Sequence, residues 1–303
     1  MESKLKVRFV EGRAPGPLFQ EEESEEAEST MLEARLTAAL TRRELKVHFQ
    51  PQYEVEFGRG CGVEALARWT LPDGKEIPPT IFIPMAERIA MIWPLGAWVL
   101  RHACETVAQW GSVGGHAPML SVNVSTHQIN ERFCGVIDRI LKTTGLPPAQ
   151  LELEITESAL IANAELAVAC CEEWRALGVH IAVDDFGIGY SSLSYLARLP
   201  VDRLKLDKSF AQRVTFEKKT AAIVSSVLAL GKEMDMEVMV EGVETEEQYL
   251  LLERLGCHQV QGYLLAKPLP APEAQALLLI PWGTRLATAG RSKQPKSRGL
   301  HAA

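Results

Sequence analysis

Leu151-Glu152-Leu153-Glu154-Ile155 alternates aliphatic and acidic residues without interruption. In an extended strand successive side chains point to opposite faces, so the leucines and the isoleucine share one face and both glutamates share the other. In a sheet curled into a barrel, the aliphatic face packs beneath covering helices and the acids point inward. Charge inside an otherwise buried strand pattern recurs in Val183-Asp184-Asp185, in Leu204-Lys205-Leu206-Asp207 and in Val240-Glu241-Gly242-Val243-Glu244. Each time it falls late in the strand and just ahead of a loop, the end at which α/β barrels carry their catalytic residues.

Outward from these segments, short β-branched or alternating runs take turns with longer helical patterns, as in repeated βα units. The strands predicted are 46–52, 62–69, 120–125, 151–157, 180–186, 203–208, 237–244 and 259–265. Such a series predicts a closed (β/α)8 barrel, with an open doubly wound sheet as the alternative that periodicity alone does not exclude. A barrel of this kind takes about 250 residues. The chain has 303, so residues 31–280 are expected to form it. Residues 1–30, with a Pro/Gly break at Ala14-Pro15-Gly16-Pro17 and an acidic run from Glu21 to Glu28, are expected to be a flexible leader. Residues 281–303, with Arg285, Arg291, Lys293, Lys296 and Arg298 unbalanced by acids, are expected to be a flexible basic tail.

The formal charge of −7 argues against a nucleic acid polymer as partner, since that would call for a basic surface. No apolar run reaches the length of a membrane span, and no secretory signal opens the chain, so a cytoplasmic protein is expected. The six cysteines form no C-x-x-C pair and fall in apolar segments, as reduced structural thiols do.

Taking an unpaired carboxylate out of water costs several kcal/mol, so a converging set of acids is tolerable only with cations or protons among them. One lysine, Lys205, cannot neutralise the group. Hard oxygen ligands suit Mg²⁺ or Mn²⁺, and Asn123 in Ser121-Val122-Asn123-Val124-Ser125 offers a neutral carbonyl oxygen to the same set. Adjacent Asp184 and Asp185 can bridge two cations, as metal-assisted phosphodiester hydrolysis requires. Gly187-Ile188-Gly189-Tyr190-Ser191-Ser192 reads equally as a phosphate-cradling turn and as a plain βα turn.

Across residues 31–280 the ordered motifs resemble the EAL domain of bacterial cyclic di-GMP phosphodiesterases. They are Phe49-Gln50-Pro51-Gln52, Glu64-Ala65-Leu66-Ala67-Arg68-Trp69, Phe82-Ile83-Pro84-Met85-Ala86-Glu87, Val122-Asn123-Val124-Ser125, Glu154-Ile155-Thr156-Glu157, Asp184-Asp185-Phe186-Gly187, Lys205-Leu206-Asp207, Glu241-Gly242-Val243-Glu244-Thr245 and Gln261-Gly262-Tyr263-Leu264. The resemblance implies a modified barrel with one strand running against the others, often paired as a homodimer. It also implies hydrolysis of cyclic di-GMP to linear 5′-pGpG with two Mg²⁺ or Mn²⁺ ions. By the same resemblance, Glu64, Asn123, Glu154 and Asp184 would hold one ion, with Asp184 shared and Asp185 and Glu241 serving the second. Lys205 would position or help deprotonate the attacking water. Arg68 would pair with a substrate phosphate, Gln50, Asp207 and Gln261 would orient substrate or water, and Glu157 would steady the loop after the fifth strand. The chain departs from the family pattern at Ile188, where Thr is usual, and at Ala90, His258 and Leu265, where Gly, Asp and Phe are common. Family members that bind the dinucleotide without cutting it supply the alternative, a cyclic di-GMP receptor.

Overall fold

The computed structural model describes residues 17–113, 115–189 and 196–283. Its sheet closes on itself. Strand β1 (Leu45–Glu54) runs antiparallel to β2 (Gly60–Thr70) on one side and to β9 (Gln259–Val260) on the other. Between them β2, β4 (Met119–Asn123), β5 (Leu151–Thr156), β6 (His180–Phe186), β7 (Arg203–Leu206), β8 (Glu237–Val240) and β9 are parallel neighbours in that order. The β1 pairings to both neighbours rule out an open sheet, and β1 is the reversed strand. A short strand absent from the sequence-based series, β3 (Glu76–Ile77), extends β2 outside the closed ring.

Helices α2 (Pro79–Arg88), α3 (Ile92–Ala108), α4 (Glu131–Thr144), α5 (Glu157–Ala162) and α6 (Ala164–Ala176) follow the first strands. Helices α7 (Lys208–Arg213), α8 (Lys218–Glu233), α9 (Glu246–Arg254) and α10 (Ala271–Leu278) follow the later ones. Local chemistry sets their limits. Asn130 Oδ1 caps α4 by accepting from Arg132 N at 3.0 Å, and Thr245 with Gln248 forms a reciprocal capping box at α9. The aliphatic faces of the strands are fully buried beneath these helices, Leu151, Leu153, Ile155, Leu204 and Leu206 among them. The barrel interior is polar instead, holding buried Gln50, Gln52, Glu64, Ser121, Glu152, Glu154, Arg203, Lys205 and Gln261.

The chain ends differ in detail from the boundaries read in the sequence. Helix α1 (Pro17–Arg42) begins inside the stretch expected to be a leader, while residues 1–16 lie outside the described residues. Its later half docks through buried Leu36 and Ala39, and Arg35 pairs with Glu44 at 3.2 Å. At the other end Trp282 is buried and donates its backbone N–H to Gly58 O at 2.6 Å, so the stretch expected as a tail starts as part of the fold. The basic residues from Arg285 onward lie outside the described residues.

All six cysteines are free, and burial pushes the Cys61, Cys104, Cys171 and Cys257 thiols up to about 12, which keeps them protonated and inert. Among the described residues no helix is long and apolar enough to cross a membrane.

Candidate active site

The acids singled out by alternation meet where the parallel strands end. Glu64 comes from β2, Asn123 is the last residue of β4, Glu154 lies in β5, Asp184 and Asp185 in β6, and Glu241 immediately follows β8. Strand β8 stops at Val240, earlier than the alternation suggests, because Gly242 adopts φ 67° and turns the chain away from the sheet. At the centre stands Lys205 of β7, wholly buried. Its Nζ lies 2.6 Å from Glu241 Oε1, 2.7 Å from Glu154 Oε1, 3.4 Å from Asp184 Oδ1 and 3.9 Å from Glu64 Oε2.

One ammonium therefore faces four carboxylates. Burial alone would lower the lysine's pKa, but Asp184, Glu154, Glu241 and Glu64 outweigh it and hold Lys205 well above the usual range. With these four neighbours it is a cation. Burial pushes Glu154 well above the usual carboxylate range, with Glu64 and Asp184 adding to the effect and Lys205 opposing it. Burial likewise pushes Glu241 up to about 8 against the pull of Lys205. Both oxygens of Glu154, Asp184 Oδ1 and Glu241 Oε1 are buried and receive no well-directed hydrogen bond.

Among the described residues no three acidic, histidine or cysteine side chains stand as a ready-made metal cage, since Lys205 fills the middle of the group. Asn123 turns its Nδ2 to Glu64 Oε1 at 2.7 Å. The donor set nonetheless has the chemistry a hard divalent cation requires: oxygen ligands, four carboxylates against one ammonium, and a buried Glu154 Oε2 without a donor.

Alternation would separate Asp184 and Asp185 onto opposite faces. A bulge in the β6–β7 pairing between Val183 and Phe186, with Asp185 at φ 54°, removes that constraint. A non-glycine residue in this left-handed region carries strain of about 1 kcal/mol. Burial raises the pKa of Asp185, with Asp184 and Asp207 adding to it.

The residues expected to face substrate divide into two kinds. Arg68 donates to Ala67 O at 2.9 Å and has no acidic partner among the described residues. Beside it opens a cavity of about 310 Å³ whose lining includes Leu66, Ile83, Asn123, Ser125 and Thr156. Gln50, Gln261 and Asp207 are already engaged. Gln261 Nε2 donates to Glu64 Oε2 at 2.6 Å and to Gln50 Oε1 at 3.2 Å, Gln50 Nε2 donates to Ala266 O at 3.1 Å, and Asp207 Oδ1 caps α7 through Ser209 N at 2.8 Å.

Glu157 Oε2 accepts from Gly187 N at 2.9 Å and so holds the loop that follows β6. Gly187 sits at φ 96°, where a Cβ would also stand 2.7 Å from the Phe210 ring. Since its N–H is taken by Glu157, Gly187 is no phosphate donor, and Tyr190, Ser191 and Ser192 lie outside the described residues.

Alternation alone puts both glutamates of β5 on the inward face, and the family resemblance singles out Glu154. Glu152 belongs instead to the opposite end of the barrel, where Arg203 Nη1 donates to it at 2.7 Å. Gln52 and Ser121 also went without a role, although Gln52 shares its inward parity with Gln50.

The sequence model of the EAL domain matches residues 33–268. The chain is 42% identical over 245 residues to the bifunctional diguanylate cyclase/cyclic di-GMP phosphodiesterase MucR of Pseudomonas aeruginosa, covering 80% of this chain and 35% of that protein. It is 35% identical over 241 residues to the cyclic di-GMP phosphodiesterase PdeR of Escherichia coli, covering 79% of this chain and 36% of the relative. Among solved structures, a MucR phosphodiesterase in complex with cyclic di-GMP superposes with a TM-score of 0.76 at 41% identity, covering 80% of this chain and 99% of that one. The chain thus spans about a third of the length of these two curated relatives.

Proposed function

The chain belongs to the EAL domain family, and from that premise we propose that it is a divalent-metal-dependent phosphodiesterase that opens cyclic di-GMP to linear 5′-pGpG. The observation that carries this reading is the meeting of four carboxylates on one buried lysine, with Glu154 Oε2 buried and without a partner. The names of MucR and PdeR, both cyclic di-GMP phosphodiesterases, support the choice of substrate.

Glu64, Asn123, Glu154 and Asp184 would hold one Mg²⁺ or Mn²⁺ ion, with Asp184 shared and Asp185 and Glu241 holding a second. Bound there, the ions would supply Lewis-acid neutralisation of the phosphodiester's charge. The protein's own groups do the rest. Lys205 positions the attacking water or helps to deprotonate it. Glu241 has the most exposed side chain of the four carboxylates around Lys205, at 22%, and so meets water most readily from the open side. Arg68, with no acidic partner among the described residues, pairs with a phosphate oxygen. Gln261 and Gln50, buried and bonded to each other, hold the Glu64 carboxylate in place, and Glu157 keeps the loop after β6 in place. The water oxygen bonds to phosphorus, the bond from phosphorus to the 3′ oxygen breaks, and the proton that the water gives up ends on that oxygen.

The test is incubation of the purified protein with cyclic di-GMP and Mg²⁺ or Mn²⁺, with chromatographic identification of the product. Linear pGpG appears with metal and not with chelator; no product at any protein concentration overturns the reading. Ile188, 62% exposed in the loop held by Glu157, favours a second reading as a receptor. Tight dinucleotide binding in Ca²⁺ without turnover in Mg²⁺ or Mn²⁺ would establish that one instead. A cytoplasmic location and a homodimer belong to the same proposal, and sedimentation at several concentrations tests the dimer.

A further inference from the structure

A continuous thread of hydrogen bonds runs through the barrel from Glu64 at the site to the far mouth. Gln261 Nε2 donates to Glu64 Oε2 at 2.6 Å, and Gln261 Oε1 accepts from Gln52 Nε2 at 3.0 Å. Gln52 Nε2 also donates to Ser121 Oγ at 3.3 Å, and Ser121 Oγ donates to Glu152 Oε1 at 2.7 Å. Arg203 fixes Glu152 from below at 2.7 Å and reaches on to Glu237 at 2.7 Å.

Both ends of this thread are carboxylates, which accept only. Arg203 at the floor donates only. A run of bonds between two acceptors must contain one group that donates in both directions. Ser121 has a single hydrogen, and Gln261 has already given both of its amide hydrogens to Glu64 and Gln50. The double donor must be Gln52. Its carbonyl oxygen should then be left over, and Gln52 Oε1 is indeed buried without a partner. Space is kept for it by Gly62, its direct partner across β1 and β2, where a Cβ would come within 2.8 Å of that oxygen.

We infer that Gln52 is a positioning residue: through Ser121, Glu152 and Arg203 it fixes which end of the Gln261 amide faces Glu64. Rotated the other way, Gln261 would set a carbonyl oxygen against the Glu64 carboxylate. The catalytic consequence rests on the phosphodiesterase reading above, whereas the orientation of Gln261 does not.

The decisive variant is Gln52→Glu, nearly isosteric but without donors. Two quantities are measured: kcat and KM on cyclic di-GMP, and hydrogen exchange of the Gln261 side-chain amide by ¹⁵N NMR, assigned by its disappearance in Gln261→Glu. Exchange of that amide should speed up by about tenfold or more, and kcat/KM should fall by about tenfold or more, as loss of a buried bond to a charged group entails. Ser121→Ala should do less, because the bond from Gln52 to Gln261 survives. Ile137→Val, in the core away from the thread, serves as a control for lost stability and should change neither quantity. An unaltered Gln261 amide in Gln52→Glu overturns the inference. If Gln52→Glu does not fold, Gln52→Met, which also lacks donors, is read by the same criteria. If the wild type turns over no cyclic di-GMP, the phosphodiesterase reading fails while the amide signal still decides the role of Gln52.

Discussion

Lys205 Nζ and Glu154 Oε1 lie 2.7 Å apart with neither side chain exposing any surface to solvent. A buried pair of this kind is costly to break from one side, because the remaining charge has nowhere to go. Lys205→Met leaves Glu154, Asp184, Glu241 and Glu64 facing one another. The variant should lose about 3–5 kcal/mol of stability in chelator. Excess Mn²⁺ should return part of it, since the cation binds the folded chain alone. Thermal denaturation with and without Mn²⁺ checks both statements.

Glu64 accepts from Asn123 at 2.7 Å and from Gln261 at 2.6 Å, so its carboxylate is oriented before any ion arrives. Glu64→Ala removes a proposed ligand together with the acceptor for two donors. Turnover should fall by about a hundredfold or more, as loss of a ligand or its orienting partner does. Initial rates at saturating metal measure it.

Glu157 and Gly187 are joined by one bond of 2.9 Å across the loop after β6. Glu157→Ala leaves that N–H without its acceptor, so amide exchange at Gly187 should accelerate by about tenfold or more while the barrel strands keep their protection. Hydrogen exchange read residue by residue tests this, and equal acceleration throughout β5 and β6 would contradict it.

His180 and Asp202 form a partly exposed pair at the opposite mouth, Nδ1 to Oδ2 at 3.7 Å. The bond to Asp202 raises the His180 pKa against the opposing effect of burial. Burial pushes Asp202 upward, but His180, the Ile181 N–H and Arg175 together hold it below the usual range. The histidine's stabilising share is complete below about pH 6.5 and is lost as pH rises through its raised value. The aspartate's share is complete above about pH 4 and is lost as pH falls through its lowered value. Asp202→Asn should therefore cost more at pH 5.5 than at pH 8.5. The difference should be only about half a kcal/mol, because solvent screens the pair. Urea denaturation at the two pH values tests it.

Ala90 occupies φ 58°, a conformation that favours glycine, at a position where the family commonly has one. Ala90→Gly should stabilise the protein by about 0.5 kcal/mol, as relief of strain exceeds the added freedom of the unfolded chain. Denaturant midpoints decide it.

Much of this arrangement was legible in the sequence. Period-two alternation assigned Glu154 and Lys205 to the barrel interior, because a strand with helices on one side must turn its charges to the other. Alternation gives a face but no depth, and so it could not separate Glu154 at the site from Glu152, which answers to Arg203 at the floor. Nor could it foresee the bulge that frees Asp184 and Asp185 from opposite faces, since a bulge depends on the partner strand's register. Which strand runs reversed was equally out of reach of periodicity; the family resemblance implied one such strand, and the pairings of β1 identify it. Gln52 escaped notice because its role exists only once Ser121 and Gln261, far apart in sequence, are brought to either side of it.

The most direct measurement is a Mn²⁺ titration of the wild-type protein followed by electron paramagnetic resonance, with Glu154→Gln alongside. Crowded carboxylates that need a cation predict saturable loss of the free Mn²⁺ signal in the wild type and markedly weaker uptake in the variant. A free-ion signal that grows in proportion to added Mn²⁺ from the first addition would contradict the claim that these acids gather to hold metal.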